Sequence, residues 1–129
     1  MISANLEDIR RRIELAFNKA GRAPEEITLV AVTKGRSLEE IKEVINRGIS
    51  YIGENRIQEA LPKYNEIRDT NYGRRTRWHM IGHLQTNKAK AAVETFDWID
   101  SIDSLKIAVE VNRHAEAAGR TVPVMIQLK

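Results

Sequence analysis

From Ile27 onward, short runs of β-branched residues alternate with longer segments of helical period, and this alternation restricts the fold more than any other feature of the chain. Ile27 to Thr33 (ITLVAVT) is nearly free of charge and reads as a covered strand. Ser37 and Glu40 form a capping-box pair ahead of a helix that presents Leu38, Ile41, Val44 and Ile45 and closes near Gly48. Ile49 to Gly53 is the second strand. Its helix runs through Ile57, Ala60 and Leu61, with Pro62 placed to kink or interrupt it and Tyr64 and Ile67 extending it. A polar loop from Asp69 to Arg75 leads to a third strand, Arg77 to Ile81, and a helix from Thr86 to Phe96. Asp97 to Ser101 is a fourth strand, Asp103 to Ala118 a helix stopped by Gly119, and Val122 to Leu128 a fifth strand. An amphipathic helix from Asn5 to Ala20, ended by Gly21, precedes them all.

Strands separated by helices of this length pair in parallel, so the expected class is α/β. No glycine-rich nucleotide loop follows the first strand, since TKGRS is neither GxGxxG nor GxxxxGK[ST]. Two architectures remain: an open sheet of five strands, or the first five strands of a (β/α)8 TIM-like barrel. The chain stops directly after VMIQLK with no helix to cover that strand, so the expectation is a truncated barrel forming one partial domain over residues 1–129.

Composition narrows the function classes. With 42% hydrophobic and 30% charged residues, neither disorder nor a fibrous repeat fits. There is no cysteine, which excludes disulfides and thiolate chemistry and is compatible with the cytoplasm, the expected location. No stretch approaches a membrane span, and Glu7, Asp8 and Glu14 interrupt the basic residues of the N-terminus. The net charge is only +3, and the one basic cluster is Arg74, Arg75 and Arg77. No aromatic platform or recognition helix accompanies it, so nucleic acid is not an expected partner and protein partners stay unassigned.

The residues suited to chemistry gather at strand ends. By period-two alternation Thr28, Val30, Val32 and Lys34 share one face of the first strand, and Ile27, Leu29, Ala31 and Thr33 the other. Lys34 therefore continues a row of side chains at the C-terminal end of a parallel strand, where α/β folds collect ligands. There its amine either extends into water or pairs with an acid, or it serves as a nucleophile toward a carbonyl. Asn55 follows the second strand and could face the same rim or cap the next helix, a role shared with Glu54. The third strand carries Trp78-His79-Met80-Ile81-Gly82-His83. Two histidines without a third ligand or an HExxH motif do not make a metal site. Trp78 and Trp98 are expected to pack rather than to form a stacking platform.

Three motifs, AVTKGRSLEEI, YIGENRIQEALPKY and WHMIGHLQTNKAK, in this order, closely resemble the YggS/PLPBP family of pyridoxal 5′-phosphate-binding proteins. DWIDSIDSLKIAVEVNRHA and VPVMIQLK look like its continuation, so the likeness covers the chain but about half of a typical member. It implies a barrel like the N-terminal domain of alanine racemase, with pyridoxal phosphate held as an aldimine on Lys34, Asn55 near the cofactor ring and His79 in the pocket or beneath it. It also implies a role in vitamin B6 and amino-acid homeostasis without an established reaction. In the family the phosphate is gripped late in the barrel, past the position of Lys129, so weak or lost cofactor binding is expected of residues 1–129 alone. Two alternatives remain at this point: a pyridoxal-phosphate-dependent racemase or lyase, which needs a second acid/base such as His79, and a non-enzymatic protein- or RNA-binding domain acting through Arg74, Arg75 and Arg77.

Overall fold

The computed structural model describes residues Met1–Lys129. A long helix α1 (Ile2–Ala20) is followed by four strand–helix steps of unequal length and a fifth strand. These are β1 (Val30–Val32), α2 (Leu38–Asn46), β2 (Tyr51–Glu54), α3 (Ile57–Ile67), the single turn α4 (Asn71–Arg74), β3 (Arg77–Met80), α5 (Ala89–Thr95), β4 (Trp98–Ile102), α6 (Leu105–Ala117) and β5 (Val124–Ile126).

The five strands pair in parallel in the order β1-β2-β3-β4-β5. Every crossover therefore steps the same way across the sheet, and right-handed crossovers taken in one direction place all the helices on one face. Burial agrees. Ile52, Trp78, Met80 and Ile99 point into a core shared with Ile41, Ile57, Val93, Phe96 and Val111 of the helices. The opposite face carries Val32, Tyr51, Arg77, Trp98 and Asp100, all at least partly exposed, with His79 buried among them. This is the winding of a (β/α) barrel, in which the second face is the interior; a doubly wound open sheet would reverse its strand order and carry helices on both sides.

The strands are shorter than the apolar runs that announce them. β1 begins at Val30, not Ile27, because its neighbour β2 begins opposite it: Val30 pairs with Tyr51, and no strand residue pairs with Ile27 to Leu29. β5 shrinks to Val124–Ile126, and its register against β4 shifts between Ile99 and Ile102, which also extends β4 past Ser101. Helix α3 continues through Pro62 unbroken. The helix expected from Thr86 opens with a tight 3-10 turn, Thr86–Lys88. The capping box on α2 forms as its sequence requires, with Ser37 Oγ accepting from the Glu40 N–H at 3.2 Å and Glu40 Oε1 accepting from the Ser37 N–H at 3.1 Å.

Candidate functional site

The site is built around the turn that leaves β1. The Thr33 N–H still pairs with the Gly53 carbonyl at 3.0 Å, and the Arg36 N–H returns to the Thr33 carbonyl at 3.1 Å. Lys34 and Gly35 are the two corners of that turn. Gly35 has φ 67°, the left-handed conformation that glycine adopts without steric cost.

A buried acid and a lysine hold this turn from below. Glu54 alternates with Ile52 and so faces the helices; its side chain is fully buried. Its carboxylate accepts from the Thr33 hydroxyl at 2.9 Å and from Lys63 Nζ at 2.7 Å. Lys63 Nζ also donates to the Thr33 carbonyl at 2.8 Å and to Glu59 at 3.1 Å. Glu59 in turn accepts from the Gly35 N–H. That N–H, followed by Lys63, holds the Glu59 carboxyl below its ordinary range. Both peptide groups flanking Lys34 are thus fastened to α3, one by Lys63 and the other by Glu59, while the side chain of Lys34 is exposed and makes no hydrogen bond or ion pair.

The sequence-predicted residues occupy two layers. Register pairs Val32 with Gly53 and Gly53 with His79, so Lys34 and Asn55 lie two residues further along, in the same layer at the rim. Asn55 does not cap α3: Arg56 holds the N-cap position and no side chain caps the helix. Instead the Asn55 backbone packs against Gly82, where an added Cβ would lie 2.8 Å from the Asn55 Cα. His79 sits one layer down, about 7 Å along the strand direction. It faces the open side of the sheet with Nδ1 2.9 Å from Asp100 Oδ2. Its ring stacks on Trp98 at 5.4 Å between centroids and meets the Tyr51 ring edge-on at 5.7 Å. Nε2 of His79 is buried without a partner. Trp78 is core, as expected, whereas Trp98 packs on the histidine.

The remaining candidates separate from this group. His83 is mostly exposed, 3.5 Å from Asp103. Among the basic residues before β3, Arg75 donates to the Ile45 carbonyl at 2.9 Å, Arg74 to Asn71 at 2.9 Å and Arg77 to the Thr76 carbonyl at 3.0 Å. All three lie at the opposite end of the strands from Lys34.

Sequence reasoning missed Thr33, Glu54, Glu59, Lys63 and Asp100. Two signals for them were present: Glu59 and Lys63 have i,i+4 spacing on a helix, and strand parity puts Glu54 with Ile52 and Asp100 with Trp98.

Residues 4–129 match the profile of the alanine racemase N-terminal domain. The pyridoxal phosphate homeostasis protein of Escherichia coli K12 is 39% identical over 127 residues, which are 98% of this chain and 54% of that protein. The protein of that name from Synechocystis is 42% identical over 106 residues, 82% of this chain and 47% of its own. The chain thus spans about half the length of the curated relatives it matches. Among solved structures, PipY of Synechococcus elongatus with pyridoxal phosphate bound superimposes with a TM-score of 0.83 at 36% identity, over 100% of this chain and 55% of that one. Alanine racemase of Clostridium difficile shares the fold, with a TM-score of 0.67 at 14% identity over 95% of this chain and 30% of the racemase.

Proposed function

The chain belongs to the alanine racemase N-terminal domain family, and from that premise we propose that it binds pyridoxal 5′-phosphate through a Schiff base on Lys34 and serves cofactor and amino-acid homeostasis in the cytoplasm without a racemase reaction of its own. The observation that carries this reading is the state of Lys34. Its amine is exposed and unpaired, on the open face of the sheet, at the rim where such folds bind ligands, with both flanking peptide groups anchored.

The residues present fit such a ligand. The primary amine of Lys34 is exposed and unpaired, and it is the group that would condense with the cofactor's aldehyde, water being the leaving molecule. Asn55, in the same layer, is half-buried and keeps its side-chain amide free for a polar ring substituent. His79 lies beneath, held in one orientation by Asp100 and Trp98, with Nε2 buried and without a partner. Pyridoxal phosphate supplies electron withdrawal, and the protein must direct any proton that moves. The relatives at 39% and 42% identity are named pyridoxal phosphate homeostasis proteins, whereas the alanine racemase shares the fold at only 14% identity, and this supports a holding role over racemisation.

The test uses the full-length protein. Added pyridoxal phosphate should produce the visible absorbance of an internal Schiff base, and borohydride followed by peptide mass spectrometry should place the adduct on Lys34. An adduct spread over surface lysines overturns the proposal. Deuterium exchange at the α-carbon of an amino acid, lost on Lys34→Ala, would instead establish an enzyme.

A further inference from the structure

Between the β2–α3 and β3–α5 connections lies a cleft of about 280 Å³. Its floor is apolar, made by Ile57, Met80 and Leu84, all buried. Its walls are Asn55, Arg56, Gln58, His83, Gln85 and Lys88, with no carboxylate among them. We propose that this cleft is an oxyanion-binding site, separate from the Lys34 amine, which takes the carboxylate or phosphate of a small metabolite.

Three independent features point the same way. Neither Arg56 nor Lys88 makes an ion pair or a side-chain hydrogen bond. Glu59 lies near enough to feel the Arg56 charge, but its carboxylate is engaged by Gly35 and Lys63. Two unneutralised cations in one concavity with a low-dielectric floor focus a positive field there. Gln58 and Gln85 are exposed and have no side-chain partner, so their amides are free to donate. Helix α3, 11 residues long, starts in this wall with no capping side chain, which leaves the N–H groups of Ile57 and Gln58 without a partner at the positive end of its dipole. His83 adds a ring whose Nδ1 is 3.5 Å from Asp103, a carboxylate also 3.2 Å from Lys129 Nζ.

The Asn55 and Gly82 backbones, in contact, form the ridge between this cleft and the rim of Lys34. The site does not depend on the Schiff base, and its failure is separable from that of the cofactor reading.

The experiment titrates inorganic phosphate and, separately, pyruvate into full-length protein at low ionic strength, followed by calorimetry and by the amide resonances of Gln58 and Gln85. Arg56→Gln and Lys88→Gln should each weaken binding about tenfold, the size expected for one charge-assisted contact. Preference for phosphate or for pyruvate identifies which oxyanion the cleft takes. Binding unchanged in both variants, or no binding to wild type while circular dichroism shows it folded, overturns the proposal. The borohydride-fixed adduct is read in the same samples: if it is absent while phosphate or pyruvate still binds in an Arg56-dependent way, the cofactor reading fails and the cleft stands.

Discussion

Lys63 Nζ lies 2.7 Å from the Glu54 carboxylate, and the two side chains retain only 13% and 1% of their exposure. The pair joins the ends of β1 and β2 to the middle of α3, with Thr33 and Glu59 completing its hydrogen bonds. Removing one member leaves a desolvated charge, so Lys63→Met should destabilise the fold by about 3–5 kcal/mol. Replacing both by residues of similar shape, Lys63→Met with Glu54→Gln, should recover part of that loss. Urea unfolding of the two single variants and the double variant measures the coupling directly.

Lys34 makes no such contribution. It is exposed and unpaired, so Lys34→Ala should change unfolding free energy by less than about 0.5 kcal/mol while abolishing the borohydride-fixed adduct. A large loss of stability would show that Lys34 is structural.

Glu59 carries a pH dependence of known sign. Its folded-state carboxyl is held below its ordinary value of 4.5, first by the Gly35 N–H and then by Lys63. The unfolded chain binds that proton more readily, so the contribution is complete above about pH 4.5 and disappears as the pH falls through the lower folded value. Glu59→Gln should flatten this acid limb of the stability curve, and hydrogen exchange at Gly35 should quicken as the turn loses its acceptor.

Gly82 tolerates no side chain. A Cβ there would lie 2.8 Å from the Cα of Asn55, with backbone rather than a movable side chain in its way. Gly82→Ala should cost about 1–3 kcal/mol and displace Asn55, read as a lower Tm together with a weaker hold on pyridoxal phosphate.

His79 and Asp100 share a hydrogen bond of 2.9 Å on the open face. His79→Phe preserves the stack on Trp98 but strips Asp100 of its partner, at an expected loss of about 1–3 kcal/mol. The companion Asp100→Asn, which keeps an acceptor, should lose less. Equal effects would mean that the hydrogen bond carries no weight.

Much of this was legible in the chain. The alternation of β-branched runs with capped helices requires a parallel α/β fold, because parallel strands cannot be joined by tight turns. The Ser37–Glu40 box and the glycines after α1, α2 and α6 mark helix ends through local backbone geometry alone. Period-two alternation already put Lys34 on one face of the first strand with Thr28, Val30 and Val32. These are short-range properties, determined by bonds and dihedrals within a few residues.

Other features depended on contacts between distant segments. Strand order separated barrel winding from an open sheet, and nothing local encodes which strand lies beside which. The limits of β1 came from where β2 begins, not from the apolar run at Ile27. Glu54, charged and next to a glycine, reads in sequence as a residue of the rim; only the arrival of Lys63 from α3, nine residues on, and of Thr33 from β1 makes its burial affordable. The sequence by itself determined which elements form and which residues share a strand face with Lys34. The tertiary structure alone decided what surrounds that lysine, because a buried charge is stable only where its partners converge, and these come from three different elements.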